Sequence, residues 1–229
     1  MGLSINTNAG AILSTVAAKN ASKMMDEAMV RLSTGKRINS AKDDPGALAV
    51  ATRMAAEING LATALRNAND AQAAVDTGEG ALKEVNTLLL RMRELAVSAS
   101  SDTASEADRA ALDSEVEALE TEITRIGTST TWGGTKILDG SYSDGNAIVF
   151  QIGPKNGDTV NFTFGFLTAS ATSGNATHAQ GQLALTADVT TRVKATAFIT
   201  TVDAAISIVS ARRGKFGAMA NRLDSTISN

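Results

Sequence analysis

The sequence predicts a mainly α protein: an elongated antiparallel helical bundle, or coiled-coil rod, with a small β-hairpin region. Three observations predict it. The 229 residues include 40 alanines and only 2 prolines, so the best helix former is abundant and the strongest helix breaker scarce. The aromatics are 6 Phe, 1 Trp and 1 Tyr, too few large anchors for a thick globular core. Apolar residues also recur in steps of three and four from Ala47 to Ser100, the repeat of a helical seam.

Composition narrows the function classes. Without cysteine there is no disulfide framework, thiolate metal site or cysteine nucleophile. A net charge of −3 and a pI near 5.3 argue against a dedicated nucleic-acid surface. The opening Met1-Gly2-Leu3-Ser4-Ile5-Asn6 has no basic region leading into an apolar stretch, so no cleavable signal is read there. Asn6 fails the N-myristoylation pattern. No run of about 18 apolar residues is present, so membrane insertion is not expected.

Residues 1–33 form the first, weaker helix. Ile5, Ala9, Ile12 and Val16 begin a stripe that Met24, Ala28 and Leu32 continue, while Lys19 and Lys23 break it. So little apolar surface does not stabilise a lone helix, so this one needs a partner. Residues 34–46 read as a linker that ends on a helix-start signal. Asp43 or Asp44 can cap free N–H groups, and Pro45 suits a first helical turn because its missing donor costs nothing there.

The bundle domain occupies 47–229. Its first helix, about 47–100, carries a seam from Leu48 through Ala51, Met54, Ile58, Leu61 and Leu65 to Val75, Leu82, Val85, Leu89, Met92 and Ala96. Gln72 and Gly78-Glu79-Gly80 are its expected weak places. A second helix, about 105–127, starts at a Ser105/Asp108 capping box and buries Leu112, Val116, Leu119, Ile123 and Ile126. Trp132, Ile137, Leu138 and Tyr142 pin the Gly/Ser/Thr-rich 128–146 to the bundle. Alternation at Ile148, Phe150 and Ile152, and again at Val160, Phe162 and Phe164, predicts a hairpin over 147–164, turned at Asn156-Gly157. Residues 167–190 read as a short surface excursion. The last helix, about 193–229, presents Ile199, Val202, Ile206, Val209, Phe216, Ala220, Leu223 and Ile227, with a weak turn expected at Arg213, Gly214 and Gly217. Its seam stops without a closing turn, which suggests a chain shortened at its end.

Catalytic signals are sparse. His178 is the single histidine and stands alone in the excursion, so a metal site is not expected. Asp43-Asp44 is explained by capping and the acidic run Glu115, Glu117, Glu120 and Glu122 by a solvated face. Gly78-Glu79-Gly80 lacks the strand that a phosphate loop requires. No HExxH, GxSxG or P-loop pattern occurs. Sequons at Asn20, Asn161 and Asn175 are short enough to arise by chance, and Arg212-Arg213-Gly214-Lys215 is first a helix-surface patch. No cofactor and no enzymatic activity are expected. A helical bundle with ends that need partners reads as an assembly subunit, or as a stand-alone coiled-coil interaction module.

Several ordered motifs carry a closer resemblance: Ile5-Asn6-Thr7-Asn8, the run Arg31 to Asp44 (RLSTGKRINSAKDD), Ile58-Asn59-Gly60-Leu61, Arg66 to Asp70 (RNAND), Arg91 to Val97 (RMRELAV), Ile137-Leu138-Asp139-Gly140 and Asn221 to Asn229 (NRLDSTISN). In this order they resemble bacterial flagellin over roughly 1–165 and 193–229. Asp43-Asp44-Pro45 also resembles the hook–filament junction (hook-associated) protein, the alternative reading. The resemblance implies an extracellular flagellar filament subunit, secreted without a cleaved signal by the flagellar export apparatus and folding beneath a filament cap. Its partners would be other flagellin subunits. It also implies an inner-tube helix at 1–33, a spoke at 34–46 and a missing C-terminal partner helix. A hairpin at 147–164 would switch supercoils, with no role for nucleic acid. Vertebrate flagellin-sensing Toll-like receptors would be met, by resemblance, at Arg91, Leu95 and Glu115.

Overall fold

A computed structural model describes residues 8–140, 147–165, 167, 183, 185 and 188–229. Among the described residues four helices dominate: α1 (Ala9–Thr34), α2 (Pro45–Ala99), α3 (Glu106–Ser129) and α4 (Arg192–Ser228). Two antiparallel strand pairs lie between α3 and α4: β1 (Thr131–Trp132) with β2 (Thr135–Lys136), and β3 (Ile148–Gln151) with β4 (Thr159–Phe162). The chain is therefore mainly α with a small hairpin. Its contacts divide it into two compact units, Met1–Asn59 and Gly60–Asn229. Tyr142, Asn175 and His178 fall outside the described residues.

In the first unit, Asn8 caps α1 by accepting from the Ala11 N–H, and Gly35 ends it at φ 66°, the left-handed stop common after a helix. No residue of α1 is buried, and Ile12, Leu13, Val16, Met24, Met25, Met29 and Leu32 are all exposed. The following turn is held by Asp43, whose Oδ2 accepts the N–H groups of Asn39 and Ser40 at 3.0 Å each. Asp44 Oδ1 accepts the Ala47 N–H at 2.9 Å. Of the two adjacent aspartates, Asp44 thus caps α2 and Asp43 shapes the approach to it, with Pro45 as first helical residue.

In the second unit, polar pairs set the direction of α4. Gln72, Glu79 and Arg93 of α2 bond to Asp224, Arg213 and Asp203 of α4. Numbers rise along one helix as they fall along the other, so the two are antiparallel. Their buried seams then meet in complementary sizes. Ala71, Val75 and Gly78 of α2 stand level with Leu223, Met219 and Phe216 of α4, while Val85 and Leu89 stand level with Val209 and Ala205. At Ala71–Leu223, Gly78–Phe216 and Leu89–Ala205 a large side chain stands opposite a small one, an arrangement that favours close packing. The third side of the core comes from Val116, Ile123 and Ile126 of α3. Ile137 and Leu138 close it beyond the β1–β2 turn.

Two expectations are corrected. The Gly78-Glu79-Gly80 segment is not a weak place, because α2 runs unbroken through it. A Cβ on Gly78 would collide with Cε1 of Phe216, so the missing side chain is the seat of that ring. Nor does α4 loosen at Arg213, Gly214 and Gly217, where it is also continuous. Arg213 leaves the seam to pair with Glu79 at 2.8 Å, and Arg212 is the residue buried there, at 9% exposure.

By length and composition α4 is apolar enough to cross a membrane, its best window averaging a hydropathy of 1.4. One stripe of that helix, from Ala195 through Phe198, Val202 and Val209 to Leu223, forms its buried face against the bundle. Asp203 within it is bonded to Arg93 at 2.7 Å. Those pairings describe a core helix of a helical bundle.

Candidate interaction surface

Two neighbouring arginines of α2 reach in different directions. Arg91 turns to α3, where its Nε and Nη2 both donate to Glu115 Oε1 at 3.0 and 2.8 Å, while Nη1 donates to Glu94 Oε2 at 3.2 Å. Arg93 turns to α4 and donates from Nε to Asp203 Oδ1 at 2.7 Å. The planar guanidinium fork suits such shared carboxylate bonding. Donating to Glu115, and then to Glu94, raises the Arg91 guanidinium above its ordinary pKa. Both pairs are solvated, so they fix geometry more than they add stability.

Of the three residues singled out by resemblance, Arg91 and Glu115 are thus in direct contact on the surface. Leu95 is elsewhere. It is 4% exposed and belongs to the core cluster with Met92 and Ala96. The apolar side chains that α2 does offer near this level are Leu90 and Val97, each 47% exposed.

A second constellation mounts the hairpin on α2. The Ile152 N–H donates to the Asp158 carbonyl at 2.9 Å. In an antiparallel ladder, the next pair, Gln151 and Thr159, therefore turns its backbone groups outward. Asn67 of α2 takes that outward Gln151 carbonyl through Nδ2 at 3.0 Å. Pro154 packs against Gly60, where an added Cβ would lie 2.9 Å from the Pro154 Cβ. Phe162, Phe164 and Phe216 meet edge to face, with centroids 4.9 to 5.5 Å apart. Such edge-on pairs add to the gain from burial. The Asn156-Gly157 turn is exposed at the far end, and Gly157 has φ 95°, a conformation open to glycine without strain.

Helix ends are secured by carboxylates. The Ser105 hydroxyl accepts from the Asp108 N–H, and Asp108 Oδ2 accepts from the Ser105 N–H at 3.0 Å, a closed capping box. Bonding to Ser105 holds the Asp108 carboxyl below its usual range. The Asn39 and Ser40 amides do the same for Asp43. Lys194, donating to Asp188 at 2.6 Å, lowers the Asp188 carboxyl as well. Among the described residues no group of three or more His, Cys, Asp or Glu is arranged to hold a metal.

Three residues make bonds that the sequence reading did not assign to them: Asn67 to the Gln151 carbonyl, and Glu79 with Arg213. Asn67 and Glu79 flank the α2 seam, and Arg213 flanks that of α4. The usable signal was position, because charged and amide groups beside a seam characteristically bridge to the partner helix. The partner itself could not be read without the register.

Comparison with known proteins places these features in context. Residues 5–143 match the family model described as the bacterial flagellin N-terminal helical region. Polar flagellin F of Vibrio parahaemolyticus is 40% identical over 160 residues, covering 70% of this chain and 42% of the relative. A flagellin of Halalkalibacterium halodurans is 39% identical over 204 residues, covering 89% of this chain and 71% of the relative. The crystal structure of Bacillus cereus flagellin superposes with a TM-score of 0.58 at 32% identity, covering 72% of this chain and 88% of that one. The chain thus spans less than half the length of the Vibrio relative and most of the Halalkalibacterium one.

Proposed function

This chain belongs to the bacterial flagellin family, and from that premise we propose that it is a structural subunit of an extracellular flagellar filament. The observation that carries the reading is α1: a helix of 26 residues with none buried. An apolar-bearing helix left uncovered is a surface waiting for other chains. In the assembled state α1 packs in the inner tube, residues 34–46 join it to the bundle, and the 60–229 bundle supplies lateral and axial contacts. The partners are further subunits of the same kind, the flagellar export apparatus and the filament cap, with passage to the outside needing no cleaved signal. The role is mechanical, and no catalysis is assigned to the chain.

Recognition by a vertebrate flagellin-sensing Toll-like receptor is proposed at the Arg91–Glu115 pair. Its support is the resemblance of the Arg91 to Val97 motif together with the surface position of both side chains. In this reading Leu95 acts from the core, fixing the turn of α2 that presents Arg91.

Immunogold labelling of cells that make the protein tests the assembly reading, with antibody raised to the exposed face of α3. Label along the whole filament is the expected result. Label confined to the filament base would assign the chain to the hook–filament junction instead, and label absent from flagella would remove the filament reading.

A further inference from the structure

The sequence contains two Asn-Gly pairs, Asn59-Gly60 and Asn156-Gly157, and the fold treats them in opposite ways. Glycine after asparagine leaves the following backbone nitrogen open to the asparagine side chain, because no Cβ stands in its way. What remains to decide reactivity is whether that nitrogen is free and whether the local backbone can turn.

Asn59 and Gly60 lie inside α2, where the Gly60 N–H belongs to the helical hydrogen-bond ladder. Pro154 also packs against Gly60. Asn156 and Gly157 are both exposed at the tip of the hairpin. Among the described residues, neither the Asn156 side chain nor the Gly157 N–H has a hydrogen-bond partner, and the only bond at Gly157 is the one its carbonyl accepts from the Thr159 N–H at 2.8 Å. The base of the turn is tied by the Asp158 N–H donating to the Lys155 carbonyl at 3.2 Å, by Asp158 Oδ2 accepting from the Lys155 N–H at 3.1 Å, and by Gln151 Nε2 donating to the Gly153 and Lys155 carbonyls at 2.7 Å each, and none of these bonds engages Asn156 or the Gly157 nitrogen.

We propose that Asn156-Gly157 is a self-modification site that converts to aspartate and isoaspartate, while Asn59-Gly60 is protected by its helix. The Gly157 nitrogen loses its proton to solvent and attacks Asn156 Cγ. A new C–N bond closes a succinimide, the Cγ–Nδ2 bond breaks, and ammonia leaves with the proton. Water then adds to one of the two ring carbonyls. Opening at Cγ leaves aspartate, and opening at the backbone carbonyl leaves isoaspartate, with one extra methylene in the main chain. No electrons are transferred. Either product puts a new negative charge two residues from Asp158, and isoaspartate also lengthens the turn.

The full chain is incubated at mildly alkaline pH, digested and mapped by mass spectrometry, with isoaspartate scored by enzymatic methyl transfer. Conversion at Asn156 should run at least about tenfold faster than at Asn59, because the helix must first open at the latter. In strong denaturant the two rates should converge. Asn156→Gln, which keeps the turn exposed and polar, should remove the isoaspartate signal. Equal rates at both sites in the folded chain would overturn the proposal, as would isoaspartate in the wild type no higher than in Asn156→Gln.

Discussion

Gly78 of α2 and Phe216 of α4 pack so closely that the phenyl ring occupies the place a side chain at position 78 would need. Helix propensity alone favours Gly78→Ala by up to about 1 kcal/mol. Overpacking of a filled core opposes it by about 1–3 kcal/mol. The second effect wins because Phe216 is 2% exposed and packs edge to face on Phe162 and Phe164, so shifting its ring off position 78 disturbs both contacts. Chemical denaturation should show Gly78→Ala to be the less stable protein, and a gain in stability would show that the ring can move.

Phe216→Ala removes the other half of the same contact. A large-to-small change at a buried phenylalanine costs about 3–5 kcal/mol. The loss should reach the hairpin, since two of the three rings belong to residues 162 and 164. Near-ultraviolet circular dichroism and denaturant midpoint together check it.

The acid limb of stability should follow Asp43, Asp108 and Asp188. The Asn39 amide, the Ser105 hydroxyl and the Lys194 ammonium, respectively, lower these carboxyls below their ordinary 3.8 in the folded chain. The unfolded chain therefore binds protons first as pH falls. This contribution is complete above the ordinary aspartate range and disappears as pH drops through the lowered values. Melting temperature measured from neutral to strongly acidic pH should fall in that window. Asp108→Asn, whose side-chain oxygen can still accept the Ser105 N–H, should flatten the fall.

Arg91→Ala and Arg93→Ala separate recognition from helix bracing. Arg91 braces α3 and Arg93 braces α4, both with solvated pairs whose removal should shift the melting temperature little. Receptor signalling by the soluble chain should fall several-fold for Arg91→Ala and stay near wild type for Arg93→Ala. Equal signalling by all three proteins would detach the receptor from this surface.

Hydrogen exchange should divide the helices. With no buried residue, α1 relies on propensity and its Asn8 cap, and isolated helices are marginal. Its amides should exchange quickly, while those around Val85 and Leu89 of α2, fully buried, should be the slowest. Strong protection of α1 in dilute monomer would contradict the view that its cover comes from other chains.

How far the fold could be read in advance depends on what each feature needs. The long apolar repeat marked α2 and α4, and Ser105 with Asp108 marked the start of α3, because these signals are local. Asn156-Gly157 likewise announced its own turn. Gly78 looked like a defect because glycine weakens a helix in isolation, and its use appears only when Phe216 is brought opposite by the antiparallel register. Arg213 was misread for the same reason, since Glu79 lies 134 positions away. Leu95 stood one residue from the read seam at Ala96, and a helical face wide enough to bury both is set by packing on two sides, which a single repeat does not reveal.

The bond from Asn67 to the Gln151 carbonyl has one more consequence. A two-stranded ribbon exposes rows of unpaired backbone groups, each an invitation to a strand from another molecule. By spending a helix side chain on the outward Gln151 carbonyl, the chain occupies one of the acceptors that β3 offers on that flank. Asn67→Ala should therefore leave the bundle folded yet raise its tendency to form β-rich aggregates, a vulnerability that matters most where many identical copies are crowded together.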